Sequence, residues 1–235
     1  MRVVAIGPLY NEGERVRQVI QRFPRCLVDE IVIVDDGSTD GSGTKAAQSG
    51  ATVLTLPKRS GPGSAIRKGI DYGLQKGFDV FVVFAANGKD NPEEISRLLK
   101  PIQENHADFV QGSRYLKGGV SRNMPFHRVW GIPLFSFLFS LAVGRKVTDG
   151  TNGFRAFRRN ILEDPRINLG QEWLDGYPLE RYLFLQAIRM GYRVIEVPVT
   201  KIYPNRKTGY TKQKPWIDWW NCFKPIPYVT FGLKK

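Results

Sequence analysis

The strongest constraint on the fold is a set of five short runs rich in Val, Ile, Phe and Ala, at residues 3–8, 30–34, 51–56, 80–85 and 108–111. The central runs are apolar at consecutive rather than alternate positions, the pattern of strands buried on both faces of a parallel sheet. Between them the spacing turns helical. Val16, Val19, Ile20 and Phe23 fall on one helical face, and Ile95, Leu98, Leu99 and Ile102 on another. A strand–helix–strand alternation of this kind predicts right-handed crossovers and an α/β, Rossmann-like, doubly wound, mostly parallel sheet flanked by helices. With 235 residues, 42% of them hydrophobic, the chain can bury one full core.

Open sheets of this class bind ligands beyond the carboxyl ends of their strands. The first strand ends in Leu9-Tyr10-Asn11-Glu12, the second in Asp35-Asp36-Gly37-Ser38-Thr39-Asp40, and the fourth in Ala85-Ala86-Asn87-Gly88-Lys89-Asp90. Three polar clusters therefore converge on one edge. The first turn is GPLYNEG, neither a dinucleotide fingerprint nor a Walker loop, which argues against dehydrogenases and P-loop NTPases. Gly37-Ser38-Thr39-Asp40 is also ordinary turn chemistry, with Ser38 or Asp40 placed to cap the next helix.

The formal charge of +13, from 35 basic and 22 acidic side chains, calls for an anionic partner. Nucleic acid, anionic lipid and a phosphorylated substrate all satisfy it, but only net charge speaks for nucleic acid, which is not expected as a partner. Cys26 and Cys222 have neither metal-ligand spacing nor a disulfide framework and suit a reducing compartment. The apolar start before Asn11 is too short for a secretory signal. The longest apolar run, residues 129–143, is interrupted by Gly131 and Pro133 and falls short of the roughly 20 residues of a membrane span. The expectation is a segment that lies on a membrane rather than crosses it.

PLYNE at 8–12 together with VDDGSTD at 34–40 resembles the family 2 glycosyltransferases of GT-A fold. The similarity continues in order through SGPGSAIRKG (60–69), NPEEI (91–95), QGSRY (111–115), TDGTNGFRAFRR (148–159) and GYRVIEVPV (191–199), which resemble the dolichyl- or polyprenyl-phosphate branch. The resemblance implies a catalytic domain over 1–213, its first half (1–115) holding a nucleotide-sugar donor and its second (116–213) the acceptor and a lid loop. It also implies interfacial helices in the second half and an amphipathic, membrane-associating segment at 214–235. Donor contacts fall by resemblance on Pro8, Tyr10, Asn11, Glu12, Asp35, Asp36, Ser38, Gly63, Ala86, Asn87 and Lys89. GDP-mannose and UDP-glucose are the usual donors of this branch.

One motif departs from the family. Where an Asp-x-Asp usually holds Mg2+ or Mn2+ on the donor pyrophosphate, this chain has Ala85-Ala86-Asn87. Magnesium prefers hard oxygens, usually one or two carboxylates plus substrate phosphates, whereas Asn87 offers only a neutral carbonyl and Ala85 nothing. Two readings stay open: Asp90, with Asn87 and Asp36, holds the metal, or Lys89 faces the pyrophosphate and lessens the need for one.

For the acceptor, Arg114, Arg128 and Arg155 are candidate phosphate ligands, and Arg122, His127 and Arg128 border the apolar run as a lipid phosphate would require. In GFRAFRR, Arg155 and Arg158 read either as an anion site or as the solvated start of a helix. Asp149 stands where relatives carry an acid near the acceptor, a general base if the acceptor is a hydroxyl. Glu180 reads equally as a site acid or a helix-capping glutamate. Arg206, Lys207 and Lys212, in NRKTGYTK, are expected in a basic loop that closes over the donor, Arg206 and Lys212 assisting departure of the nucleoside diphosphate. Trp216, Trp219 and Trp220 among lysines suit a membrane interface. The expectation is an inverting hexosyltransferase, peripheral on the cytoplasmic face of a membrane, that moves a sugar from a nucleotide donor to polyprenyl phosphate. A saccharide acceptor and a non-catalytic nucleotide-sugar binder are its rivals.

Overall fold

The computed structural model describes residues 1–204 and 220–233. Its strands are β1 (Val3–Leu9), β2 (Glu30–Asp35), β3 (Thr52–Thr55), β4 (Val80–Val83), β5 (Phe109–Ser113), β6 (Val120–Arg122), β7 (Arg155–Arg158), β8 (Val194–Pro198) and β9 (Thr200–Ile202). The helices are α1 (Arg15–Gln21), α2 (Ser42–Gln48), α3 (Pro62–Gln75), α4 (Ile95–Gln103), α5 (Phe126–Val143), α6 (Arg159–Leu162), α7 (Pro178–Arg189) and α8 (Pro225–Thr230). Seven strands form one sheet in the order β3-β2-β1-β4-β7-β5-β8, and β6 pairs with β9 in a small second sheet. All five strands expected from the apolar runs are present, with ends shifted by one or two residues.

The pleat divides the core. Val4, Ile6, Val32 and Val34 face α3, α5 and α7, while Val3, Ala5, Ile31 and Ile33 face α1 and α4. Alternate residues of a doubly covered strand thus enter two different hydrophobic layers, which explains the consecutive apolar positions.

The segment Arg155-Ala156-Phe157-Arg158 is β7, not a helix start. It runs antiparallel between β4 and β5, with Val83 opposite Arg155 and Phe109 opposite Phe157. Its terminal arginines made it look solvated, yet Arg155 is 1% exposed, its guanidinium 6.0 Å from the rings of Phe109 and Phe184. Because β7 is antiparallel, the loop that precedes it, not the one that follows, reaches the carboxyl edge of the sheet.

A row of aromatic rings ties the sheet to α5. Phe81, Phe157, Phe109, Phe184, Phe139, Phe135 and Phe223 follow one another with centroids 6.0, 5.7, 5.3, 5.0, 5.9 and 5.0 Å apart. This row fixes α5 over the sheet edge. The helix begins three residues before the apolar run and spans 18 residues, so by length and composition alone it is long enough to cross a membrane. Only 28% of it is buried, through Gly131, Ile132, Phe135, Ser136 and Phe139. Trp130, Leu134, Phe137 and Leu141 stay exposed on its outer side.

The described part of the C-terminal segment docks on the domain. Phe223 meets Phe135 edge-on, Tyr228 lies 5.2 Å from Trp173, and Val229 is buried beside α7, its carbonyl accepting a hydrogen bond from Arg189. Trp220, Phe231 and Leu233 remain exposed. Trp216, Trp219 and the 213/214 boundary lie outside the described residues.

Candidate active site

The carboxyl ends of β1 and β4 open into a cleft of about 270 Å³. Pro8, Tyr10, Glu12, Asp36, Asn87 and Lys89 line its sheet side, and Arg128, Ile132 and Phe135 of α5 line the opposite side. The remaining donor candidates stand behind this lining and shape it. Asp35 accepts a hydrogen bond from the Ser38 N–H (2.9 Å), Ser38 Oγ accepts from the Asn11 N–H (2.9 Å), and Asn11 Oδ1 accepts from the Thr39 N–H (2.8 Å). Ser42 Oγ accepts from the N–H groups of Glu12 and Gly13, and Asp40 from that of Ser42. The first two loops are therefore stapled together, with Asn11 in the left-handed region (φ 48°), which asparagine tolerates. Ala86 is buried in the core below.

Asp36 faces the cleft with both oxygens engaged, Oδ1 by the Ser60 N–H (2.6 Å) and Oδ2 by the Gly61 N–H (2.9 Å). Gly61 has φ 104°, a conformation that requires glycine. Next to it the Arg59 guanidinium lies 4.3 Å from the Tyr10 ring centroid. Gly63 is not part of the lining. A Cβ there would collide with the carbonyls of Leu174 and Gly176, so this glycine serves close packing of the 174–176 loop on α3.

The expected acceptor residues separate. Arg128 lines the cleft, its guanidinium 5.5 Å from the Tyr203 ring centroid. Arg114 also borders it, but its guanidinium is consumed by Asp149 in a bidentate pair, Nε to Oδ2 at 2.6 Å and Nη2 to Oδ1 at 2.7 Å, and by Tyr203 Oη and Thr151 Oγ1. Asp149 is 0% exposed. Burial raises its proton affinity, but the Arg114 charge and hydrogen bonds outweigh that and hold the carboxyl below its ordinary value. It has neither the access nor the basicity of a general base. Arg155 donates to the carbonyls of Glu180 and Asn152 inside the domain and does not reach the cleft, which corrects its expected role as a phosphate ligand. Arg206, Lys207 and Lys212 lie outside the described residues.

Several lining residues carried no sequence signal. These are Lys201 and Tyr203, from β9 and the residue after it, and Arg181 of α7; Thr151, of the TDGTNGFRAFRR motif, and Glu180, the candidate acid of α7, line the cleft beside them. Lys201 Nζ donates to Asp90 Oδ1 at 2.5 Å and to Asn152 Oδ1 at 2.9 Å. Asp90 Oδ2 in turn accepts the Ala85 N–H (2.8 Å), so Asp90 is buried, doubly engaged and absent from the lining. Glu180 does face the cleft, 3.9 Å from Arg155 Nη2. Lys89 lies beside Lys201 and Arg128. Burial first, then the charges of those two residues, push its ammonium down to about 8.

These positions do not suit a divalent metal. At the Asp-x-Asp positions Ala85 has no ligand atom and Asn87 only an amide. Asp90 is neutralised by Lys201, and Asp36 is committed to backbone N–H groups. No group of three or more His, Cys, Asp or Glu placed to hold a metal occurs among the described residues.

The model of the family described as Glycosyl transferase family 2 matches residues 5–165, which run from within β1 through β7 and include most of the lining. The chain belongs to glycosyltransferase family 2. It is 35% identical over 218 residues to the polyprenol monophosphomannose synthase of Mycolicibacterium smegmatis, covering 90% of this chain and 80% of that protein. It is 34% identical over 221 residues to the undecaprenyl-phosphate mannosyltransferase of Micrococcus luteus, covering 90% and 87% respectively. The glucosyl-3-phosphoglycerate synthase of Mycobacterium tuberculosis, solved with Mn2+, UDP and glucosyl-3-phosphoglycerate, superposes with a TM-score of 0.72 at 19% identity, over 100% of this chain and 81% of that one. The fold of this glycosyltransferase is GT-A.

Proposed function

We propose that this glycosyltransferase moves a hexose, with inversion, from a nucleotide-diphosphate sugar to a polyprenyl phosphate at a membrane surface. The observation that carries the reading is the course of α5. Arg128 and Ile132 on its inner side line the cleft, while Trp130, Leu134 and Phe137 on its outer side present an exposed apolar face. A lipid phosphate can place its head group against Arg128 and its chain along the same helix. The names of the two bacterial relatives point to the same acceptor class. The exposed Trp220 and Phe231 extend the apolar surface and support peripheral attachment, which we place on the cytoplasmic face.

In the proposed reaction an oxygen of the acceptor phosphate attacks the anomeric carbon. The bond from that carbon to the nucleoside diphosphate breaks, and its electron pair leaves on the β-phosphate oxygen. A phosphate monoester with a second pKa of about 6 is mostly dianionic at neutral pH, so the nucleophile needs orientation rather than deprotonation. Burial of Asp149 in its ion pair with Arg114 is compatible with this, since no base has to be supplied. Glu12 and Asp36 lie on the donor side of the cleft, and Arg128 orients the acceptor. Mg2+ or Mn2+ would supply charge neutralisation of the leaving diphosphate, but Asn87, Asp90 and Asp36 do not make a fitting donor set and no step is assigned to a metal. Arg206 and Lys212 are proposed to close over the donor.

The test is transfer of labelled sugar from GDP-mannose and UDP-glucose to undecaprenyl phosphate in phospholipid vesicles. An organic-extractable product labile to mild acid is expected. Transfer to soluble saccharides alone, or donor binding without turnover or hydrolysis, would refute the assignment.

A further inference from the structure

The cleft is built with a surplus of positive charge where related enzymes place a metal between carboxylates. Its lining contains seven Arg and Lys residues against three carboxylates. Three of these cations are paired with carboxylates: Lys201 with Asp90, Arg114 with Asp149 and Arg15 with Glu12. Lys89 is different. It is half-buried and lines the cleft, where the repelling charges of Lys201 and Arg128 outweigh the attracting charges of Glu12 and Asp90. The carboxylate next to it in sequence, Asp90, turns inward to Lys201 and the Ala85 N–H. Lys89 also stands over one side of the Tyr203 ring environment that Arg128 approaches, at 5.8 and 5.5 Å from the ring centroid. Grouping Lys89, Lys201 and Arg128 costs electrostatic repulsion, and an anion bound among them relieves it.

We propose that Lys89, with Lys201 beside it, takes the place of the divalent metal and binds the donor's diphosphate directly, so that nucleoside diphosphate binding by this protein is independent of metal. The inference rests on the donor half of the function proposed above and does not depend on the acceptor. An ammonium supplies one positive charge and three hydrogen-bond donors, enough to contact oxygens of both phosphates. The Lys201–Asp90 pair serves two ends at once. It turns Asp90, the carboxylate nearest the Asp-x-Asp positions, away from the cleft, and it holds a second ammonium at the wall, of whose three donors two are used by Asp90 and Asn152. Loss of the Asp-x-Asp and gain of Lys89 are then one substitution of charge carriers rather than a defect.

Isothermal titration of the intact protein with GDP and with UDP, in EDTA and then in excess Mg2+ or Mn2+, tests this. For at least one of the two nucleotides, equal affinity within about twofold across these conditions is expected. Lys89→Met should weaken binding about 10- to 100-fold in every condition, and Lys89→Arg should retain most of it. A tenfold or greater gain of affinity on adding metal, or unaltered binding by Lys89→Met, would overturn the proposal while leaving the glycosyltransferase assignment intact. The EDTA comparison needs no variant and so does not depend on how Lys89→Met folds. If neither nucleotide binds in any condition, the nucleotide-sugar reading fails, and this inference with it.

Discussion

Replacing Asp149 by asparagine separates two roles that the sequence alone leaves open, a general base and the buried half of an ion pair. In the structure both Asp149 oxygens accept from the Arg114 guanidinium, and the side chains are 0% and 2% exposed. The asparagine keeps the shape but leaves a guanidinium charge uncompensated in the protein interior. Removal of one partner from a buried pair costs about 3–5 kcal/mol. At about 2–4 °C per kcal/mol for a domain of this size, the unfolding midpoint should fall by about 6–20 °C. Urea titration and thermal melting followed by circular dichroism measure it. Replacing both residues, Arg114→Leu with Asp149→Leu, should recover a large part of the loss, because no lone charge remains. Acid should act in the same direction. The folded Asp149 carboxyl is held below its ordinary 3.8, so its stabilisation is present above that value and is lost as pH falls through the lower folded value. The Asp149→Asn protein should accordingly show a weaker dependence of stability on pH below about 4. If Asp149→Asn melts with the wild type and yet loses about 100-fold or more in turnover, Asp149 is a base and the ion-pair account is wrong.

Two further outcomes follow from the cleft's surroundings. Trp130→Glu and Phe137→Glu replace side chains that are 70% and 59% exposed on α5, so stability should change by no more than about 0.5 kcal/mol. Sedimentation with phosphatidylglycerol-containing vesicles should nevertheless fall about tenfold or more for each, and unchanged sedimentation would remove α5 from the membrane contact. Gly63→Ala should lower stability by about 1–3 kcal/mol, since its Cβ displaces the 174–176 loop that α3 supports. A wild-type melting temperature for that variant would restore Gly63 to the candidates for direct donor contact.

The apolar runs were sufficient to locate β1 to β5, because a doubly covered parallel strand must be apolar at nearly every position, and helical spacing located α1 and α4. The ordered motifs located the cleft as well, since strand order places the ends of β1, β2 and β4 on one edge. The same local signals failed at β7. Arg155 and Arg158 mimic a solvated face, and nothing nearby in sequence announces that Arg155 will be buried against carbonyls of Glu180 and Asn152. They failed also for Lys201 and Tyr203, which reach the cleft only because β9 pairs with β6 and bridges back to Asp90. The amino-acid sequence by itself determined the fold class, the family, the absence of an Asp-x-Asp and the presence of Lys89. Tertiary structure alone decided which charges are spent and which are available. Asp90 goes to Lys201, Asp149 and Arg114 to each other, and Lys89 faces the cleft. Pairing between residues 35 to 111 positions apart is set by sheet order and loop direction, and burial then makes each such pair binding on both partners.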